Sequence, residues 1–246
     1  MARKTEQTGL RTTVTLLLLL CFFSANLKAE DLEYKMDMGA AIGTCFYMGD
    51  ANSKPYANMG FMGGVTVRRI FNPRMALKAN LAMGHLSGTV DGFIPQDPWS
   101  GSIEGGVPVK VDFSRNVLDL GVQFEMNFWG FGMGAGYKEL SRITPYALAG
   151  VGMTVAMGGG ASACGALCLP VGVGVKYKLK PRLNIGFEWT MRFTTSDRLD
   201  ATPEGTTQLA HPYGIKSVGL KNKDCYNFTM VYLTYEFMPK LRKCNN

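Results

Sequence analysis

Leu118-Asp119-Leu120-Gly121-Val122-Gln123-Phe124-Glu125-Met126-Asn127-Phe128 decides the fold. Each even-numbered residue in it is apolar and each odd-numbered one is polar or glycine. Successive side chains of an extended chain point to opposite faces, so this alternation describes a strand with one apolar and one polar face. A helix would scatter the same residues around its whole circumference.

The pattern repeats along most of the chain. Ile185, Phe187, Trp189, Met191 and Phe193 alternate with Asn184, Gly186, Glu188, Thr190 and Arg192, and Val171, Val173, Val175, Tyr177 and Leu179 alternate with Gly172, Gly174, Lys176 and Lys178. Weaker versions cover 33–48, 59–71, 74–86, 144–157 and 226–237, which makes eight predicted strands. The connections add independent information. Asn72-Pro73 and Lys180-Pro181-Arg182 read as tight turns, whereas 49–58, 87–113, 158–168 and 195–224 are long. Alternating short and long connections mark an all-β, eight-stranded antiparallel transmembrane barrel with short periplasmic turns and long outer loops. The connection Trp129–Arg142 breaks the rule, since it should be short and is not.

Which face points outward follows from volume. An eight-stranded interior is just wide enough for side chains to fill it, and rows of Phe, Trp, Met and Leu from every strand would overfill it. A lipocalin-like barrel with an apolar interior is the competing reading. The polar rows, rich in Gly39, Gly43, Gly84, Gly121, Gly172, Gly174 and Gly186, suit a crowded lumen. They also carry Lys35, Asp37, Lys78, Asp119, Glu125, Lys176, Lys178, Glu188, Arg192 and Glu236, which should pair across it because lone buried charges are costly. Glu188 and Arg192 stand four residues apart on one strand, about 13 Å at the strand rise, and each is expected to find partners on adjacent strands. Phe71, Phe128, Trp129, Tyr146, Tyr177, Tyr235 and Phe237 cluster near the turn side, as an interfacial aromatic girdle would.

Both chain ends bear on compartment. Arg3, Lys4 and Arg11 precede the apolar run Val14–Phe23, and small residues follow, the order of a cleaved signal peptide over 1–29. The run is shorter than the roughly 20 residues of a spanning helix. Its removal takes four cations and one acid, so the formal charge falls from +7 to +4 and the barrel domain covers 30–246. That charge does not indicate a nucleic-acid binder. Five cysteines remain, Cys45, Cys164, Cys168, Cys225 and Cys244, and an odd number leaves at least one unpaired within the chain. Cys164 and Cys168 are close enough in sequence to bridge a tight loop. The tail after Met238 carries Lys240, Arg242 and Lys243 and would lie in the periplasm, where it could dock on an acidic surface or stay solvated.

Chemistry is sparse. No metal-ligand spacing, phosphate cradle, cofactor motif or G-x-S-x-G occurs. The acids lack a neighbouring histidine and read as ion-pair partners. An outer-membrane hydrolase would need His85 or His211 near a carboxylate at the rim, and a conducting pore would need a wider barrel. The residues therefore favour a structural role over catalysis, with a surface adhesin or ligand-binding barrel and a narrow porin as the alternatives.

Leu169–Leu179, Arg182–Trp189, Arg192–Asp200 and Thr144–Gly152 together resemble a Bacteroidota family of outer-membrane β-barrels that includes the type IX secretion component PorG. The resemblance implies an anchor or docking partner of that apparatus, with outer-membrane lipids around it and periplasmic secretion-ring proteins beneath it. It implies no catalytic residues. Within it, Asp197 and Asp200 open the last outer loop, where carboxylates can accept backbone N–H bonds and shape the rim.

Overall fold

The computed structural model describes residues 34–49, 54–93, 109–133, 140–160, 162–196, 199 and 223–239. The predicted signal peptide, Asp197, Asp200, His211 and the tail residues Lys240, Arg242 and Lys243 lie outside them. Eight strands form: β1 Tyr34–Met48, β2 Gly60–Asn72, β3 Met75–Phe93, β4 Val109–Asn127, β5 Ile143–Met157, β6 Cys164–Lys180, β7 Leu183–Thr194 and β8 Cys225–Pro239. Each pairs antiparallel with its sequence neighbours, and β1 closes on β8 in a register that sets Met38 opposite Tyr235 and Ile42 opposite Val231. Closure satisfies the backbone along the wall and leaves no sheet edge there, the condition for a sheet to cross lipid.

The faces are as the volume argument requires. Leu120, Val122 and Phe124 are 54%, 45% and 44% exposed, while Asp119, Gln123 and Glu125 between them are at most 1% exposed. The barrel is inside out relative to a water-soluble one, which rules out the lipocalin-like arrangement. Leu118 to Phe128 spans ten residue steps, about 34 Å of strand, or roughly 25 Å along the barrel axis at a tilt of 40–45°. That is the height of a bilayer's apolar band.

Beyond that band the pattern inverts. On the outer part of β4, Phe113 and Val117 point inward while Asp112, Ser114 and Asn116 are exposed; on β3, Leu86 is buried and His85 exposed. Here water replaces lipid, so the wall reverts to the polarity of a soluble sheet. For that reason β3 runs to Phe93 rather than ending at 86, and β4 starts at Val109 rather than 118. The turns Pro73-Arg74 and Pro181-Arg182 are two residues each, the first fixed by Asn72 Oδ1, which accepts from Arg74 N at 2.8 Å.

The described parts of the Trp129–Arg142 connection, 129–133 and 140–142, fold back beneath the barrel. Phe131 N donates to Pro73 O at 3.0 Å, Gly132 N to Ser141 O at 3.0 Å and Ser141 N to Gly130 O at 2.7 Å. Its extra length thereby carries Phe131 under the inner mouth.

Candidate functional site

The inner half of the lumen is filled by buried ion pairs. Lys78 Nζ lies 2.6 and 2.7 Å from the two oxygens of Glu188, and Tyr146 OH donates to the same carboxylate at 2.7 Å. Arg68 bridges Asp37 at 3.2 Å and Glu125 at 3.1 Å; the second is an ion-pair approach without hydrogen-bond alignment. Lys176 pairs with Glu125, and Lys178 with Glu236 at 2.6 Å, where Asn184 also donates at 2.9 Å. Nearer the middle, Asp119 accepts from Arg192 Nε at 3.1 Å, Tyr226 OH at 2.7 Å and Asn80 Nδ2 at 2.9 Å. Five carboxylates thus meet five cations, all but fully buried.

Four predicted lumen residues, Asp119, Glu125, Lys176 and Glu188, and with them Arg192, are brought together as expected. Their reach differs from the expectation. Glu188 and Arg192 on β7 pair with Lys78 on β3 and Asp119 on β4, across the lumen and not on neighbouring strands, because glycines such as Gly121 and Gly186 leave the middle open to long side chains. Lys35 is exposed at the inner end and stands outside the network. Tyr146 belongs to the lumen, not to the girdle: on β5 it shares its face with Thr144 and Leu148, all buried. Arg68, Asn80, Tyr226 and Tyr232 were missed. Strand parity alone would have found Arg68, since Val65 and Val67 point out and Thr66 points in.

The outer half is filled differently. Tyr47, Met62, Leu86, Phe113, Val117, Tyr226 and Phe228 form a buried apolar cluster with Leu199 from the last outer connection. Asp224 holds Leu199 there: its carboxylate accepts Leu199 N at 2.9 Å and the Tyr47 hydroxyl, while its backbone oxygen accepts Thr194 Oγ1 at 2.7 Å. Arg115 crosses to Ala156 O at 3.2 Å and Ser162 O at 2.6 Å. At the inner mouth Phe131 sits against the ammonium groups of Lys176 and Lys178, 4.9 and 5.3 Å from its ring centre. A side chain from a connection thus lies at the inner mouth and another in the outer half of the lumen.

The bridge expected between Cys164 and Cys168 does not form. β6 begins at Cys164, so the two lie on one extended strand about 13 Å apart at its rise, beyond the reach of a disulfide. Cys164 Sγ lies 3.2 Å from Ser196 Oγ and Cys168 Sγ 3.5 Å from Asp119 Oδ2. Among the described residues no group of histidine, cysteine and carboxylate side chains has metal-binding geometry.

The inner rim is basic. Lys35, Arg69, Arg74, Arg142 and Lys180 are exposed around it, and Arg182 is half-buried. Arg182 donates to Tyr235 OH at 3.3 Å and to Tyr34 OH at 2.6 Å, bonds that push its pKa above the ordinary arginine value. Arg69 lies over Phe71 at 5.7 Å. Of the described acidic side chains only Asp112 is exposed, and it stands at the outer end.

A family model described as "Domain of unknown function (DUF6089)" matches residues 11–246. No curated protein matches the sequence. Solved structures similar to the chain include Neisserial surface protein A, at 13% identity over 85% of this chain and 100% of that one, with a TM-score of 0.44. The Ail attachment invasion locus protein of Yersinia pestis, in complex with the heparin analogue sucrose octasulfate, matches at 11% identity over 84% of this chain and 99% of that one, TM-score 0.40. The outer membrane protein OprG of Pseudomonas aeruginosa matches at 13% identity over 84% and 97%, TM-score 0.40.

Proposed function

The chain belongs to the DUF6089 family, and we propose that it is an outer-membrane barrel that anchors or docks a periplasmic assembly at its inner rim. The finer reading follows the sequence resemblance: the assembly is the type IX secretion apparatus, and the barrel's role is PorG-like. One observation carries the docking reading, the separation of charge between lumen and rim. The described acids of the inner half, Asp37, Glu125, Glu188 and Glu236, are committed to ion pairs inside, so Lys35, Arg69, Arg74, Arg142 and Arg182 leave the described inner rim basic. The tail cations Lys240, Arg242 and Lys243 would extend that surface toward an acidic partner. A lumen filled by side chains supports an anchor over a porin.

The test is affinity purification from detergent-solubilised outer membranes after mild cross-linking. Wild type should retain periplasmic ring proteins. Replacing Lys35, Arg69, Arg74 and Arg142 by Gln should leave a heat-modifiable, inserted barrel that loses them, with truncation after Met238 weakening capture further. Full retention by the neutralised barrel would remove the rim as the docking surface, and absence of secretion-ring proteins from the wild-type eluate would remove the type IX reading.

A further inference from the structure

One polar constellation on the outer wall is used neither by the lumen nor by the inner rim. His85 on β3 stands directly opposite Asn116 on β4, and Ser114 follows two residues along the same outward row. His85 Nδ1 is 2.9 Å from Asn116 Oδ1, and Ser114 Oγ is 3.2 Å from His85 Nε2. An amide oxygen only accepts, so in this arrangement Nδ1 carries the ring proton and donates it. The neutral ring then offers a lone pair at Nε2, and the Ser114 hydroxyl donates to it. A hydroxyl on an imidazole whose far nitrogen is held by a third group is the arrangement that activates a serine nucleophile. The sequence expectation for such a site was His85 beside a carboxylate; the structure gives it an amide and a hydroxyl instead.

Its place on the wall is specific. On β4 the outward row changes from Leu120 and Leu118 to Asn116 and Ser114, and on β3 from Leu81 and Met83 to His85, so the three groups begin where the apolar band ends. A lipid's carboxylic ester lies at that level, between its acyl chains and its headgroup. Chains lying along Leu81, Met83, Leu118 and Leu120 would deliver the ester carbonyl to Ser114. Ser114, His85 and Asn116 are all exposed on the outward row. β5 ends at Met157, opposite Asn116.

We propose that Ser114, His85 and Asn116 form a serine-esterase site at the outer membrane–water boundary, acting on the carboxylic esters of lipids. Ser114 Oγ attacks the ester carbonyl and its proton passes to His85 Nε2. The tetrahedral intermediate collapses, the C–O bond to the alcohol breaks, and His85 returns the proton to the leaving alkoxide. A water then loses its proton to His85 and attacks the acyl-serine; the released acid and a restored Ser114 hydroxyl complete a hydrolysis with no external oxidant or reductant. Asn116 acts as a positioning residue, holding the imidazole in the tautomer that can accept the serine proton.

The site is independent of the docking reading, since it lies on the opposite end of the barrel. Its test uses the full barrel in detergent–phospholipid micelles, with a fluorophosphonate probe and a dispersed p-nitrophenyl acyl ester. Ser114 should be the labelled residue by peptide mass spectrometry. Ser114→Ala should abolish labelling, and His85→Ala should reduce ester turnover by about 10²–10⁴-fold, the range for loss of a general base. Asn116→Leu should fall with them and Asn116→Asp should be rescued, an outcome that a merely structural asparagine would not give. Ser87→Ala, on the same ribbon but bonded to Asn58 O at 3.3 Å, should behave as wild type. Heat-modifiable mobility checks that each variant is folded. Absence of Ser114 labelling in the folded wild type, or labelling unchanged by His85→Ala, overturns the proposal.

Discussion

Replacing Lys78 by Met measures what the lumen's ionic network is for. The Glu188 carboxylate accepts three hydrogen bonds, two from Lys78 at 2.6 and 2.7 Å and one from Tyr146 at 2.7 Å. Methionine keeps most of the lysine stem's volume, so the cavity term is small. The change leaves a fully buried carboxylate with one donor and no ion-pair partner. An ion stranded in this way costs about 3–5 kcal/mol, which lowers the folding equilibrium constant by roughly two to nearly four orders of magnitude. Converting Glu188 to Gln in the same background removes the stranded charge while its oxygen still accepts from Tyr146. The double variant should therefore recover most of the loss.

The assay is urea unfolding of the barrel in phospholipid vesicles, read by heat-modifiable mobility, for wild type, both single variants and the double. Arg192→Met supplies an internal comparison. Its partner Asp119 keeps Tyr226 at 2.7 Å and Asn80 at 2.9 Å, so its loss should sit near the low end, about 3 kcal/mol. Lys78→Met within about 1 kcal/mol of wild type, or a double variant weaker than Lys78→Met alone, would refute the reasoning.

Val122→Arg places a cation on the lipid face near mid-band and should cost roughly 2–4 kcal/mol in the same vesicle assay, while Val122→Leu should be close to neutral. Equal stability of the two would mean that the outward row does not face lipid. A membrane-impermeant maleimide on intact cells should label Asn58→Cys and spare Pro181→Cys, in a background whose native cysteines are Ser; the reverse pattern would invert the barrel. Peptides spanning Cys164 to Cys168 should carry two alkylated thiols without prior reduction, and a bridged peptide would show that the start of β6 is not extended as described.

How much of this was legible follows from where the alternation is clean. Within the lipid band the apolar–polar contrast is enforced on both faces, so the strand over 118–128, the strand count and the outward direction of Leu120 and Phe124 could all be read from the residues. Parity errors arose where a side chain's chemistry suits either face. Tyr146 fits an interfacial girdle as well as a lumen, and only its phase relative to Thr144 and Leu148 places it against Glu188. Above the band the contrast reverses, so a rule calibrated on lipid reads the outer parts of β3 and β4 as loop. The Trp129–Arg142 connection was opaque for another reason: its purpose is a long-range contact of Phe131 with Lys176 and Lys178, which no local pattern encodes. The Ser114, His85 and Asn116 constellation depends on cross-strand register, and register is absent from any single strand.

Stability alone does not explain why ions fill the inner lumen, because well-packed apolar residues of similar volume often serve as well. Register does. A wall that is apolar outside and apolar inside would tolerate a one-residue slip of any strand, since each slip exchanges the two faces. With Lys78, Lys176, Lys178 and Glu188 inside, a slip of β3, β6 or β7 would carry those charges into lipid, at about 2–4 kcal/mol for each lysine near mid-bilayer, and would also strand their partners. In the outer half, where water bathes the wall, a slip is already penalised by exposing Phe113, Val117 and Leu86, and there the lumen is mostly apolar around Arg115 and Asp224. The change in lumen chemistry thus follows the change in surroundings, with each half filled by the residue class that makes misregister costly. A lumen so occupied, with Phe131 at its inner mouth and Leu199 in its outer half, is packed to hold the wall in register.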